Sequence, residues 1–173
     1  MSGQPTVEDE CLDAFQKEFD YLCRTLRRLG VPPSEIEDLA QEVFLVLHRA
    51  WVELDRTRPL RPYLFGIAFR IASAHARRRR REWQLAALEL EDRGLWPDQE
   101  LQAKQDRAII LSALDRIPLP RRAVLVMHDI DDVPMQTVAL VLAIPLFTTY
   151  SRLRKARREL EIAVRHLMKE KTR

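Results

Sequence analysis

The stretch VPMQTVALVLAIPLFTTYSRL, Val133 to Leu153, decides the fold. It reads as a helix, a three-residue turn and a second helix. Val138, Ala139 and Leu142 recur at helical spacing on the first helix and face Ile144, Leu146 and Leu153 across the turn. Ala139 is small where two helices must cross closely. Pro145 suits the first turn of the second helix, where its missing N–H is not needed. Such a pair is a helix-turn-helix, whose second helix enters the major groove of DNA. At 100° per residue, Leu146, Thr149, Leu153, Ala156 and Leu160 face inward. Phe147, Thr148, Ser151, Arg154, Lys155 and Arg158 face outward, with Tyr150 and Arg152 beside them. Hydroxyls and cations contact phosphates and base edges, and Arg favours guanine. Phe147 is the exception on this face. It could touch a thymine methyl or a sugar, or fold back on the neighbouring turn and exclude water.

Upstream, GVPPSEIEDLAQ supplies a turn and then a predicted capping box, with Ser34 as N-cap and Glu37 three residues on. Ile36, Leu39, Ala40, Val43, Leu47, Ala50 and Trp51 form the buried stripe of the helix that follows. Asp38, Gln41, Glu42 and Leu45 fall on the opposite side. A Leu within a polar, acidic rim suits a protein interface as well as it suits a solvated face. The loop LDRTRPLRP leads to a further helix from about Pro62, with a core stripe of Leu64, Ile67, Ala68, Ile71 and His75. Phe69, Arg70, Ser73 and Arg77 lie outward, and Tyr63 and Phe65 sit near the edges, Phe65 reading as core. Arginines run without interruption from Arg77 through Arg78 to Arg81. Packing them into little more than one turn costs mutual repulsion unless a polyanion relieves it. Basic residues with aromatic rings are what melted or single-stranded nucleic acid requires.

Charge alternates along the 173 residues: 1–59 and 83–115 are net acidic, 60–82 and 116–173 net basic, and the total is +3. A polyanion contacted at two separate places calls for that pattern. Only 4 Gly stand against 10 Pro, and no strand-like alternation occurs, so the fold class is all-α, two small helical domains. Their predicted limits are 8–82 and 106–168, with 83–105 as linker, in which Trp96 is placed to dock on a neighbour. Cys11 and Cys23 form no CxxC, and His48, His75, His128 and His166 are scattered, so no zinc spacing appears and no metal or cofactor is expected. Two free thiols suit a reducing cytoplasm. No apolar run reaches membrane-spanning length, so no membrane insertion is expected. No acidic cluster at metal spacing and no base beside Ser151 suggest catalysis, and the chain is not expected to be an enzyme.

In this order the segments resemble the extracytoplasmic-function group of bacterial RNA polymerase sigma factors. DLAQEVFLVLHRAW is similar to that family's core-polymerase-binding helix. RPLRPYLFGIAFRIASAHARRRRR is similar to its segment for melting and reading the −10 element. IPLPRRAVLVMHDIDDVPMQTVALVLAIPLFTTYSRLRKARREL is similar to its −35-reading domain. The resemblance implies three partners: core RNA polymerase, promoter DNA and an anti-sigma factor. By position, Asp38, Gln41 and Phe44 match the polymerase-binding motif, and Arg61 and Tyr63 match the junction before the melting helix. Tyr150, Ser151, Arg154 and Lys155 match promoter-reading positions. Tyr63 stands where Trp is usual, and Arg70 and Ala74 where Asn and Asp are common. Thr137 and Val138 replace a frequent Glu-Ile. Ala143 and Phe147 each take a place often held by Gly, and that small residue favours a Phe147 folded back on its turn. The other reading of the chain is a stand-alone helix-turn-helix regulator with an N-terminal sensing or dimerising domain. In the free chain, the acidic segments are expected to cover the basic ones.

Overall fold

The computed structural model describes residues 7–86 and 102–171. Seven α-helices occur there, and there is no strand among the described residues. The first, α1 (Val7–Arg28), carries Glu8, Asp9 and Glu10 in its first turn and Arg27 and Arg28 in its last, the arrangement that the helix dipole favours. Cys11, Phe15, Leu22 and Leu26 form its buried stripe. The helix closes in a Schellman turn: the Gly30 N–H donates to the Arg27 carbonyl and the Val31 N–H to the Leu26 carbonyl. Gly30 takes φ +90°, and a Cβ there would also run into the Arg122 guanidinium.

The predicted capping box is not formed. Pro33–Glu35 makes a short 3₁₀ turn, and α2 (Ile36–Ala50) starts from Glu35 without a side-chain cap. Ser34 is exposed within that turn. The Glu35 carboxylate is taken from the other side, by His75 and, at 3.9 Å, by Arg79 of the third helix. The predicted stripe of α2 holds, with Leu39, Ala40, Val43, Leu47 and Trp51 buried and Ile36 and Ala50 partly so.

Helix α3 (Leu60–Ala86) starts two residues before Pro62, which is tolerated in a first turn. It also runs past residue 82 into the predicted linker, because no Gly or Pro interrupts the chain between Gly66 and Gly94. Leu64, Phe65, Ile67, Ala68, Ala72 and His75 are buried along it, and Ile71 is partly so. Trp96 lies outside the described residues.

Helix α4 (Gln102–Asp115) opens the second half, earlier than residue 106. Helix α5 (Leu119–Leu125) passes into a π-helical turn, Val126–Ile130. The helix-turn-helix is α6 (Met135–Val141) and α7 (Leu146–Lys171). Val138, Ala139, Leu142, Thr149, Leu153 and Ala156 are buried, and Ile144 and Leu160 pack against the core. Leu146 is not inward as expected. It is 40% exposed, since Ile144 already closes that end of the core.

The two halves touch, and one contiguous apolar cluster draws on both. Helix α3 meets α6, and α1 meets α4. Gly66 permits close approach: a Cβ there would lie 3.1 Å from a methyl of Val141. Polar groups complete the seam. The Tyr21 hydroxyl donates to Asp131 at 2.9 Å, Arg28 pairs with the same carboxylate at 3.0 Å, and Arg27 pairs with Asp115 at 3.5 Å.

Candidate nucleic-acid interface

The turn of the helix-turn-helix is a second Schellman motif. The Ala143 N–H donates to the Leu140 carbonyl and the Ile144 N–H to the Ala139 carbonyl. Ala143 takes φ +52°, a left-handed conformation in which L residues other than Gly are strained. The Thr149 hydroxyl donates to the Pro145 carbonyl at 3.0 Å, and the Thr149 N–H reaches the same oxygen. The start of α7 is thus fixed by backbone and side-chain bonds together.

Along α7 the charges divide into two sets. Arg157 grips Asp129 through two bonds of 2.8 and 2.7 Å, and Arg121 of α5 grips Glu159 through bonds of 2.9 and 2.6 Å. The Arg157 bonds hold the Asp129 carboxyl below its ordinary range. Arg154, Lys155 and Arg158 are exposed, and no carboxylate among the described residues pairs with them. Tyr150 is exposed, and Thr148, Ser151 and Arg152 are half-buried beside it. The outward row predicted from the sequence is therefore a face with unpaired cations, hydroxyls and two open rings. Phe147, 84% exposed, does not fold back onto its turn.

On α3 the arginine run is also mostly unpaired among the described residues. Arg70, Arg77, Arg80 and Arg81 are exposed, Arg78 lies 3.9 Å from Glu82, and Arg79 turns to Glu35. Ser73 is half-buried in the same helix. Phe69 is less open than predicted, and Tyr63 lies at the edge of the core as expected: both pack partly against the core, which leaves edges rather than whole rings to a ligand. Arg61 is exposed but occupied. Its Nε donates to Glu18 at 2.8 Å, and its guanidinium lies 5.0 Å from the centre of the Tyr21 ring. Helical spacing gave no sign of this, because the partners belong to α1.

On α2, Asp38, Gln41, Glu42 and Leu45 are exposed together, Leu45 by 54%. Val46, which the sequence reading passed over, adds a second exposed apolar side chain to it. Phe44 belongs partly to the interior, its ring centre 4.9 Å from that of Phe15. The arrangement offers one acidic face with an apolar centre and two basic faces. Among the described residues no group of three or more His, Cys, Asp or Glu could hold a metal ion, and no helix is long and apolar enough to cross a membrane.

Two family models match the chain, Sigma-70 region 2 over residues 14–82 and Sigma-70, region 4 over residues 107–160, together more than half of it. The RNA polymerase sigma factor NccH of Alcaligenes xylosoxydans xylosoxydans is 26% identical over 145 residues, covering 80% of this chain and 78% of that protein. CnrH of Cupriavidus metallidurans is 26% identical over 149 residues, with the same coverage. Two solved structures share the fold. CnrH in complex with the cytosolic domain of CnrY gives a TM-score of 0.65 at 20% identity, covering 90% of this chain and 88% of that one. The sigma factor RpoE in complex with the anti-sigma factor NepR from Bartonella quintana gives 0.68 at 20% identity, covering 88% and 97%.

Proposed function

The chain belongs to the sigma-70 family of RNA polymerase sigma factors, in its extracytoplasmic-function group, and we propose how its three faces divide the work of promoter-specific initiation. The α2 face around Leu45, with Asp38, Gln41 and Glu42 and the edge of Phe44, docks on core polymerase. Residues Arg61, Tyr63, Phe69, Arg70, Ser73, Arg77 and Arg78 of α3 serve the −10 element. The outward row of α7, from Phe147 through Arg158, reads the −35 element. The division corresponds to domains at 8–82 and 106–168. A chain of this kind works in the cytoplasm, and an anti-sigma factor is a third partner, as it is for the RpoE of the comparison. The reading assigns no catalytic residue, since the polymerase carries the chemistry.

The observation that carries this division is the sorting of charge. Arg79 of α3 and Arg157 of α7 are paired with carboxylates, while Arg70 and Arg77 of α3 and Arg154, Lys155 and Arg158 of α7 are exposed with no carboxylate partner among the described residues. Like charges left unpaired on one face set up a field that attracts a polyanion. Phosphate contacts of that kind give salt-sensitive affinity, and a few side chains add sequence choice. Docking on polymerase gives a use to the apolar-centred acidic face of α2.

The two readings differ in a binding measurement at physiological salt. Labelled promoter duplexes are titrated with the chain alone and with the chain plus core polymerase. The sigma reading predicts sequence-specific binding only with polymerase present. Tight, specific binding by the chain alone would support the regulator and overturn the division proposed here.

A further inference from the structure

We propose that Phe147 selects a thymine in the −35 element by seating its ring against the C5-methyl group. The inference rests on the −35 role of α7 and deepens it. The ring is 84% exposed and makes no ring–ring contact with another aromatic among the described residues. An open phenyl group in water is unfavourable and gains by burial against any apolar partner. The backbone that carries it is also fixed. The Schellman turn at Ala143 and the two Thr149 bonds to Pro145 fix the backbone on either side of it.

Its position narrows the partner. Phe147 stands in the first turn of α7, and the N-terminal residues of a second helix are those that meet base edges. It heads the row that continues at Tyr150, Ser151 and Arg154, spaced so as to lie on one side of the helix. The major groove offers that row donors, acceptors and a single apolar group, the thymine methyl. A ring placed against a polar edge would strip water from it and return no hydrogen bond. A thymine is therefore favoured, and a cytosine at the same place, without the methyl and with an amino group, is disfavoured. Contact with sugar alone would give no such choice.

The test uses the full chain with core polymerase. Holoenzyme first selects its preferred −35 sequence from duplexes randomised in that region. Each thymine of the selected element is then replaced, one at a time, by deoxyuridine, which lacks only the methyl group. For wild type, one replacement should weaken promoter binding about fourfold, the worth of burying one carbon group. Phe147→Ala should bind the thymine and deoxyuridine duplexes alike, at the level of wild type on deoxyuridine. An unchanged circular-dichroism spectrum is expected, since the removed ring packs against little. Wild type indifferent to every replacement overturns the proposal, as does a Phe147→Ala protein that keeps the methyl effect. An equal loss on all duplexes, with weaker association to core polymerase, would assign the ring to a protein contact and equally overturn it. Failure of wild type to select any sequence with polymerase would overturn the −35 role itself and this inference with it.

Discussion

Two residues occupy the same place in two copies of one motif. Gly30 and Ala143 each close a helix as the left-handed residue of a Schellman turn, at φ +90° and +52°. Glycine adopts that conformation freely, whereas Ala has its Cβ pressed towards the following carbonyl at a cost of roughly 1–2 kcal/mol. Part of the cost of keeping Ala is offset, because glycine loses more freedom on folding. Ala143→Gly should therefore stabilise the protein by about 0.5–1 kcal/mol, read from the midpoint of urea unfolding. A midpoint that falls would show that the turn gains more from the methyl than its backbone loses. That turn residue was legible in the sequence as a departure from the usual glycine. Leu146 was not, since the helical wheel cannot say that Ile144 fills the site first.

At the scale of elements, stripes of apolar residues announced α2, α3 and α7, and their buried sides came out largely as spaced. Helix ends were less legible. The capping box failed because Pro33–Glu35 forms a 3₁₀ turn that takes up Ser34 and starts α2 from Glu35, whose carboxylate pairs with His75 and Arg79 of α3. Periodicity also gave no hint that Arg122 would be buried. Its Nε and Nη2 donate to the Ile117 carbonyl at 3.2 and 3.0 Å, and its Nη1 to Asp115 at 3.0 Å. Burial pulls its pKa down, with Asp115 opposing. This side chain ties the end of α4 to the start of α5 and fills the space that Gly30 leaves. Arg122→Leu should cost about 2 kcal/mol, below the loss for a fully buried pair because Asp115 can return to water. Equilibrium unfolding measures it, and a change within error of zero would mean that packing alone holds the joint.

At the scale of the molecule, size decides what the closed arrangement can do. A compact chain of this length has a radius of gyration near ~16 Å, hence a diameter of about 40 Å. The −35 and −10 elements are some 25 base pairs apart, roughly 85 Å along B-form DNA at 3.4 Å each. On the division of labour proposed above, the closed molecule is too short to reach both, and promoter engagement would require α3 and α7 to separate. The seam suits such an opening, because its Arg27–Asp115 pair is partly exposed and worth about 1 kcal/mol or less. Burial pushes the Asp131 carboxyl above its ordinary range, against the pull of Tyr21 and Arg28. A carboxyl raised by burial lowers folding stability as pH rises through that value, because ionising it in the seam costs desolvation that Tyr21 and Arg28 offset only in part. Asp131→Ala strips Tyr21 and Arg28 of their shared partner and should increase the radius of gyration in small-angle X-ray scattering. No change would place the closure elsewhere, in the apolar part of the seam. Nothing in the spacing of residues revealed this contact, since Tyr21 and Asp131 are 110 positions apart. The acidic and basic blocks showed only that the two halves could attract. The central claim, that this chain directs initiation through its α2 face, meets its most direct test in run-off transcription with purified core polymerase. Wild type should give transcripts of defined length from some genomic promoter fragments, and Asp38→Arg with Gln41→Ala should lose them while keeping its helical spectrum. No transcript from wild type on any fragment, or full activity in the double variant, would contradict it.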